Sequence, residues 1–388
     1  MTAPHVARLV LEAVLTLILL TSWVFWMLAA WSARRFLRRR PEPDSESLPA
    51  VSILKPLKGA DHEAYENFAS FCRQDYPEIE ILFGVADAAD PAIAVVARLR
   101  RDFPEIAIRV LVAGETAGNP KSGILVALQA AARHEVLVVS DSDVRASPDC
   151  LRRIVAPLAD PRTSLVSCLY RSRLAATLAS RFESLFLDAG FLPAAIVAYR
   201  LGRRFGVGAT MAVRRAALER IDGFAAFSRN LLDDYEIGAR LAARGEGVVL
   251  SREVVTHVLG AGTWRELWDR EVRWSRGIRA ARLRDYAGLP LTFSTPAALL
   301  LAVAAGLSPL ALAALAGSLL LRFWVALRLY ADLGGEREPL STLAWLPLRD
   351  CLSAVVWCAG CAGRRVRWRG STYRLEPGGL MTPEPSEP

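Results

Sequence analysis

Apolar residues fall along this chain in three successive regions: a continuous run, an alternating stretch and a second set of apolar runs. Residues 9–33 are apolar apart from Glu12 and a few hydroxyls. A run of that length crosses a bilayer core of about 30 Å at about 1.5 Å per residue. Five arginines, Arg34, Arg35, Arg38, Arg39 and Arg40, follow it directly. A cleaved signal peptide carries its charge before the apolar stretch and ends at a small-residue site. The order here instead predicts a retained anchor with the arginines on the cytoplasmic side. Pro41 to Ser47 reads as a polar linker.

From about residue 50 to 260 the period shortens and alternates. Residues 51–54, 79–85, 106–112 and 135–139 are strand-like, with helical stretches such as 91–102 and 121–133 between them. Residues 205–213 and 248–251 read as later strands. Alternation of buried strands with helices predicts the α/β class, a doubly wound and mostly parallel sheet.

Beyond this, the pattern becomes apolar again. Residues 176–200 are too apolar for an ordinary surface helix and too broken for a span. They read either as a core helix or as a helix at the membrane surface that receives a lipid acceptor. Residues 264–284, rich in Trp and Arg, predict an amphipathic interfacial helix. Two further apolar stretches follow: 297–329, broken at Ser308-Pro309, and 341–362, which holds Arg349-Asp350. Two crossings would return the arginines after 363 to the cytoplasm. A tight hairpin over 297–329 with a re-entrant last segment is the other arrangement. The resulting division is a tail (1–8), an anchor (9–33), a basic juxtamembrane segment and linker (34–49), a catalytic domain (50–260), an interfacial helix (261–290), a C-terminal membrane region (291–363) and a cytoplasmic tail (364–388).

Composition agrees with a membrane protein. Of 388 residues, 53% are hydrophobic, and the net charge of +8 collects beside the apolar segments. That placement suits anionic lipid headgroups. Without a zinc finger, an RNP-type aromatic pattern or a basic recognition helix, nucleic acid is not an expected partner. Only three of the 48 basic residues are lysine: Lys55, Lys58 and Lys121. The richness in Ala and Arg suggests a GC-rich bacterial genome, hence a bacterial inner membrane. Under that bias, surviving lysines mark places that prefer a compact ammonium. The six cysteines form no disulfide framework. Cys72, Cys150 and Cys168 read as small buried residues, and the Cys358/Cys361 pair lacks a second ligand pair.

Candidate chemistry lies at the ends of the predicted strands. Asp141-Ser142-Asp143 follows the strand 135–139, where open α/β sheets place their ligands. Two such carboxylates can converge on a hard divalent cation, Mg2+ or Mn2+, whose shell diphosphate oxygens and water complete. An Asx turn uses the same residues. Asp87 and Asp90 follow the strand 79–85. Asp90, before Pro91, suits a helix N-cap, and Asp87 suits a nucleotide's hydroxyls. Asp233 and Asp234 precede a helical run. One acid suffices for its first turn, and the other can serve as a general base. Arg270 and Arg273 share a helical face and can clamp a diphosphate while Trp274 covers sugar or acceptor; interfacial snorkelling is the alternative. His257 reads as a core or loop histidine, with late metal ligation as the second reading. The series points to sugar transfer from a nucleotide-sugar.

These residues resemble the ceramide glucosyltransferase family, within the inverting GT-A transferases. The resemblance rests on Leu54-Lys55-Pro56-Leu57-Lys58-Gly59, Asp75-Tyr76-Pro77, Asp87-x-x-Asp90-Pro91, Asn119-Pro120-Lys121, Asp141-Ser142-Asp143, Leu232-Asp233-Asp234-Tyr235 and Arg270-x-x-Arg273-Trp274. Leu348-Arg349-Asp350 and Trp368-Arg369-Gly370 add to it. It covers about residues 10–375 and implies a GT-A-like sheet with one N-terminal and about two C-terminal transmembrane helices. It also implies that Lys55, Pro56, Asp87, Asn119, Lys121 and Asp141 serve the donor nucleotide. Asp141 and Asp143 would hold the metal, Asp234 would be the base, and Arg270, Arg273 and Trp274 would assist catalysis. The donor would be UDP-glucose or UDP-N-acetylglucosamine and the acceptor a ceramide- or hopanoid-type lipid. Phe186 to Pro193 looks most like the hopanoid branch. Two positions depart from the pattern: Ile124 stands where the family usually has asparagine, and some members have glycine where Asp143 stands. A processive polysaccharide synthase would need a larger bundle of spans. An inactive nucleotide-sugar-binding protein would be expected to lack a carboxylate, and none is missing.

Overall fold

Short runs of Val, Ile and Leu separated by helices build an eight-stranded sheet. The structure, a computed structural model, describes residues 3–38, 48–114, 118–173, 175–334, 339–368 and 370–384. The expected linker 41–47, Arg39, Arg40 and Arg369 lie outside the described residues. The chain divides into an α/β unit (40–174, 202–260 and 379–388) and a helical unit (1–39, 175–201 and 261–378).

In the α/β unit the strands are β1 (Val51–Pro56), β2 (Ile79–Val85), β3 (Ala107–Val112), β4 (Val136–Ser140), β5 (Val144–Arg145), β6 (Thr163–Arg173), β7 (Thr210–Arg214) and β8 (Gly247–Val258). Their order is β3-β2-β1-β4-β7-β6-β8-β5. The first four run parallel. Strand β7 is antiparallel to both β4 and β6, and β6 and β8 are parallel to each other. Successive side chains leave a strand on opposite faces, and both faces are covered here. Ile53, Phe83 and Val138 enter one core with Phe68 and Phe71, while Leu54, Leu82 and Val139 enter the other with Leu125 and Phe224. Each such side chain contributes about 1.5–3 kcal/mol by leaving water. Because Val51 pairs with Val136 and Leu54 with Val139, β1 and β4 end side by side. That register brings the loop after Lys55 next to the one that opens at Asp141.

Two strands differ from expectation. The 11-residue β6 was not foreseen, because Ser164, Ser167 and Ser172 interrupt its apolar pattern, yet all three are buried. Strand β8 runs far past the expected 248–251. Its Glu253 is buried but is satisfied by Ser147 Oγ at 2.8 Å and Arg153 Nη1 at 3.0 Å.

In the helical unit, among the described residues, three helices are long and apolar enough to cross a membrane: Ala3–Leu37, Leu178–Arg200 and Pro309–Leu333. The segment expected to be too broken for a span is thus one 23-residue helix, whose irregularity is absorbed by a π-turn at Leu187–Phe191. Its most apolar window is 67% buried, against 33% and 28% for the other two, so it packs largely inside its unit. Ser308 caps the helix Pro309–Leu333, accepting from Ala311 N at 3.4 Å, and so separates it from Ser294–Ala304. With Leu283–Thr292, Ser294–Ala304 makes a pair bent by 62° that could serve as one more span. The stretch expected at 341–362 forms Leu346–Cys361, 16 residues, or about 24 Å, short of the bilayer core.

Among the described residues of this unit, a buried arginine is paired, as an intramembrane charge requires. Arg322 meets Asp350 through two bonds of 2.8 and 2.9 Å, and Thr295 Oγ1 donates to the same carboxylate at 2.8 Å. The Arg322 guanidinium also lies 3.5 Å over the Trp26 ring.

Candidate active site

Two lysines fix Asp141, one through its main-chain carbonyl and one through its carboxylate. Lys55, with no solvent exposure, donates to the Asp141 carbonyl at 2.8 Å and to Ser140 Oγ at 3.2 Å. It also lies 3.9 Å over the Phe71 ring. Lys121 Nζ reaches Asp141 Oδ1 at 2.6 Å. The Asp141 N–H donates to Ala209 O at 3.1 Å, which ties the acidic turn to the approach to β7.

Lys121 is placed by Asn119, whose Oδ1 caps the helix Pro120–Ala131 by accepting from Lys121 N at 2.9 Å and Ser122 N at 3.2 Å. The Asn119 amide donates to Asn230 O at 2.9 Å. Ser122 Oγ then donates to Asp233 Oδ2 at 2.7 Å. Asp233 is therefore engaged at the start of the helix Asp233–Ala243, where its Oδ1 also accepts from Asp234 N at 3.0 Å.

Asp234 sits against bare backbone. A Cβ on Gly208 would stand 2.6 Å from Asp234 Oδ2, and one on Gly206 would stand 2.1 Å from the Asp234 carbonyl. The sequence Phe205-Gly206-Val207-Gly208 is therefore glycine-punctuated because the helix start packs directly on it, and the Gly208 N–H donates to the carboxylate.

The electrostatics follow from an excess of acid. Burial first, then the charge of Asp233, pushes the Asp234 pKa up to about 7, against the pull of Lys121. Burial and Asp143 likewise raise Asp141 above the usual carboxylate range, although Lys121 opposes them. Burial would lower Lys121, but Asp141, Asp233 and Asp234 outweigh it and push its pKa up. Both directions follow from one cause: several carboxylates share one ammonium in a desolvated place.

Asp143 has a different partner. Strand β5 pairs with β8 so that Val144 faces His257, and Val258 N donates to Asp143 O at 2.8 Å. His257 Nε2 then stands 2.9 Å from Asp143 Oδ2, and the His257 ring meets Tyr170 edge-on at 5.8 Å. The sequence offers a core or loop histidine and a late metal ligand as the two readings of His257, and neither contains this pairing, which β5 creates.

Among the described residues, no three His, Cys, Asp or Glu side chains close on one point. The carboxylates of Asp141 and Asp143 nevertheless offer oxygens, the donor type that holds Mg2+ or Mn2+ in an open shell completed by substrate and water, with the His257 imidazole beside Asp143.

Pro56 is buried at the end of β1. Asp87 is exposed on the loop after β2 and accepts from Ala89 N at 2.9 Å. Asp90 accepts from Ala92 N at 2.8 Å and Gly59 N at 2.9 Å, which fits a capping role. Arg270, Arg273 and Trp274 belong to the helical unit. There Arg270 pairs with Glu183, Trp274 stacks on Phe186 with centroids 6.0 Å apart, and Arg273 lies 5.1 Å over Trp368.

A family model described as "Glycosyl transferase family 21" matches residues 14–381. Ceramide glucosyltransferase 1 of Caenorhabditis elegans is 28% identical over 61% of this chain and 51% of its own length, so the match spans about half of that relative. Ceramide glucosyltransferase 3 of the same organism is 25% identical over 95% of this chain and 83% of its own. The beta-monoglucosyldiacylglycerol synthase of Synechocystis sp. is 25% identical over 66% and 56%. Among solved structures, a mannosyltransferase from Pyrobaculum calidifontis in complex with GDP-Man and Mn2+ superposes with a TM-score of 0.54 at 20% identity, covering 90% of this chain and 97% of that one. That likeness is one of fold.

Proposed function

Because the chain belongs to glycosyl transferase family 21 and is a glycosyltransferase by that membership, we propose that it moves a hexose from a UDP-sugar to a lipid hydroxyl with inversion. The observation that carries the reading is Asp234, a buried carboxylate whose pKa is raised to about 7 beside the Lys121–Asp141 pair. A base poised near neutrality is what deprotonation of an alcohol needs.

In this reading the acceptor's hydroxyl gives its proton to Asp234 as its oxygen bonds to the anomeric carbon. The bond from that carbon to the diphosphate breaks on the opposite face, and UDP leaves. Lys121 places a fixed positive charge beside Asp141, where the diphosphate would lie. A divalent cation, Mg2+ or Mn2+, held by Asp141 and Asp143 with His257, would supply neutralisation of the charge gathering on the departing diphosphate. Asp87 would accept hydrogen bonds from the nucleoside, and Asn119 keeps Lys121 in place. Lys55 and Pro56, at the end of β1, would shape the donor's place, Lys55 through the Asp141 carbonyl. Arg270, Arg273 and Trp274, engaged by Glu183, Trp368 and Phe186, are assigned to holding the helix Trp264–Ala281.

The relatives named above act on ceramide or diacylglycerol by their names, which supports an amphiphilic acceptor. The three apolar helices support a membrane-embedded enzyme; the arginines after the first one support a catalytic unit facing the cytoplasm from a bacterial inner membrane. The test offers membranes carrying the protein UDP-glucose and UDP-N-acetylglucosamine, each with ceramide, a hopanoid alcohol and diacylglycerol, and weighs the products by mass spectrometry. One glycolipid bearing one hexose is expected. Polymer, or hydrolysed donor alone, would overturn the reading.

A further inference from the structure

The chain's last described residues, from Gly379 on, belong to the α/β unit, as do Lys121, Asp141 and Asp234. Gly378 and Gly379 both take a positive φ, 84° and 76°, a region that residues with side chains rarely enter. After this turn Leu380 lies opposite Asn230 in an antiparallel bridge. Leu231 N donates to Gly379 O at 3.1 Å and Met381 N to Arg229 O at 2.6 Å, the two bonds that flank such a pair. Met381 has no solvent exposure, so burial of its side chain adds to these bonds.

The other edge of residues 228–231 is spent on the site. Ser228 O accepts from Asn119 N at 2.6 Å, and Asn230 O accepts from Asn119 Nδ2 at 2.9 Å. Successive carbonyls of an extended segment point to opposite sides, so Arg229 O meets Met381 while the carbonyls before and after it meet Asn119. The approach on that side is close: a Cβ on Gly118 would stand 2.4 Å from Ser228 O. Asn119 caps the helix that carries Lys121, and residues 228–231 run on through Leu232 into Asp233 and Asp234. We propose that Gly379–Met381 is a strap that positions the active site. By holding residues 228–231 along one edge, it sets the Asn119 cap, hence Lys121, and the start of the helix that bears Asp234. Met381 is its positioning residue. The proposal rests on the reading of Lys121 and Asp234 as residues of the transfer site.

The full chain, purified in a neutral detergent, is compared with three variants by residue-resolved amide hydrogen exchange and by kcat for transfer. Met381→Pro removes the N–H that reaches Arg229. It is expected to speed exchange at Leu231 and, with it, at Lys121 and Ser122, whose N–H groups bond Asn119 Oδ1. It should also lower kcat about 10- to 100-fold, while the amides of β2 exchange as in the wild type. Met381→Ala keeps the N–H but empties the buried place, so the same amides and the same rate should change less deeply. That variant carries the test if the proline one does not fold. Met381→Leu keeps both features and should match the wild type. Faster exchange at Leu231 with Lys121 and Ser122 still protected would overturn the proposal, as would equal acceleration throughout β2. A wild-type kcat in a variant whose exchange has risen at all three amides would overturn it too. If the wild-type chain transfers no sugar, the transfer reading falls by itself, and the exchange pattern still decides the strap.

Discussion

Lys55 donates to the main-chain carbonyl of Asp141 at 2.8 Å from a position with no solvent exposure. In a chain whose cations are nearly all arginine, this lysine and Lys121 are two of three, and both end on Asp141. Room explains the choice. The Lys55 ammonium fits between Ser140, the Asp141 carbonyl and the Phe71 ring, a fully buried place in which a planar guanidinium needs more room. Lys55→Arg is therefore expected to cost about 1–3 kcal/mol by overpacking and to weaken UDP binding by displacing Asp141. Thermal unfolding and calorimetric titration with UDP measure the two effects. Unchanged values in both would show that the space is not so defined.

The strands around this site could be read from the sequence where apolar runs were unbroken, as in β2, which lies where expected over Ile79–Val85. Strands β6 and the far half of β8 were hidden, because their buried serines and Glu253 are satisfied by partners distant in sequence. Asp141 and Lys121 could be picked out by residue type and motif. What no local pattern gives is their ion pair, nor the contact of Lys55 with the Asp141 carbonyl, which depends on β1 and β4 ending together. The pairing of His257 with Asp143 depends on the short β5, two residues that carry no periodicity at all.

Asp234→Asn should abolish transfer and leave UDP-sugar binding near normal, since it removes the proton acceptor and keeps the shape. The base works only when ionised, and its pKa is raised to about 7, so activity should fall as pH drops through that value. An acidic limb near pH 7 in kcat/KM for the wild type is the expected profile. An Asn variant with full activity would remove Asp234 from the mechanism.

Gly208→Ala tests the same carboxylate without touching it. The added Cβ would stand 2.6 Å from Asp234 Oδ2 and 3.1 Å from its Cγ, so the side chain must move. A displacement of this order costs about 100-fold in rate. The expected result is a lower kcat with little change in the KM for the donor. A change confined to KM would place the clash elsewhere.

His257→Ala separates metal holding from packing. If the imidazole supports the cation with Asp143, 2.9 Å away, the Mn2+ concentration for half-maximal activity after chelation should rise about 10- to 100-fold. The maximal rate at saturating metal should largely recover. A lower maximum with an unchanged metal requirement would mark the histidine as a structural partner of Asp143.

The pair of Glu271 and Arg349 joins the helices Trp264–Ala281 and Leu346–Cys361 at 2.8 Å, with side chains only 3% and 2% exposed. The pair is incompletely satisfied. Glu271 Oε1 accepts no hydrogen bond among the described residues, and Arg349 Nε and Nη1 donate none. Desolvation of two such ions is barely repaid by their attraction, whereas removal of one leaves the other buried and alone. Arg349→Met or Glu271→Leu by itself should thus destabilise the helical unit by about 3–5 kcal/mol, and the double replacement should restore most of the loss. A double-mutant cycle on thermal unfolding in detergent reads the coupling directly. Additive losses would mean that the two side chains stabilise their helices independently, through packing against neighbours such as Phe186 beneath Arg349.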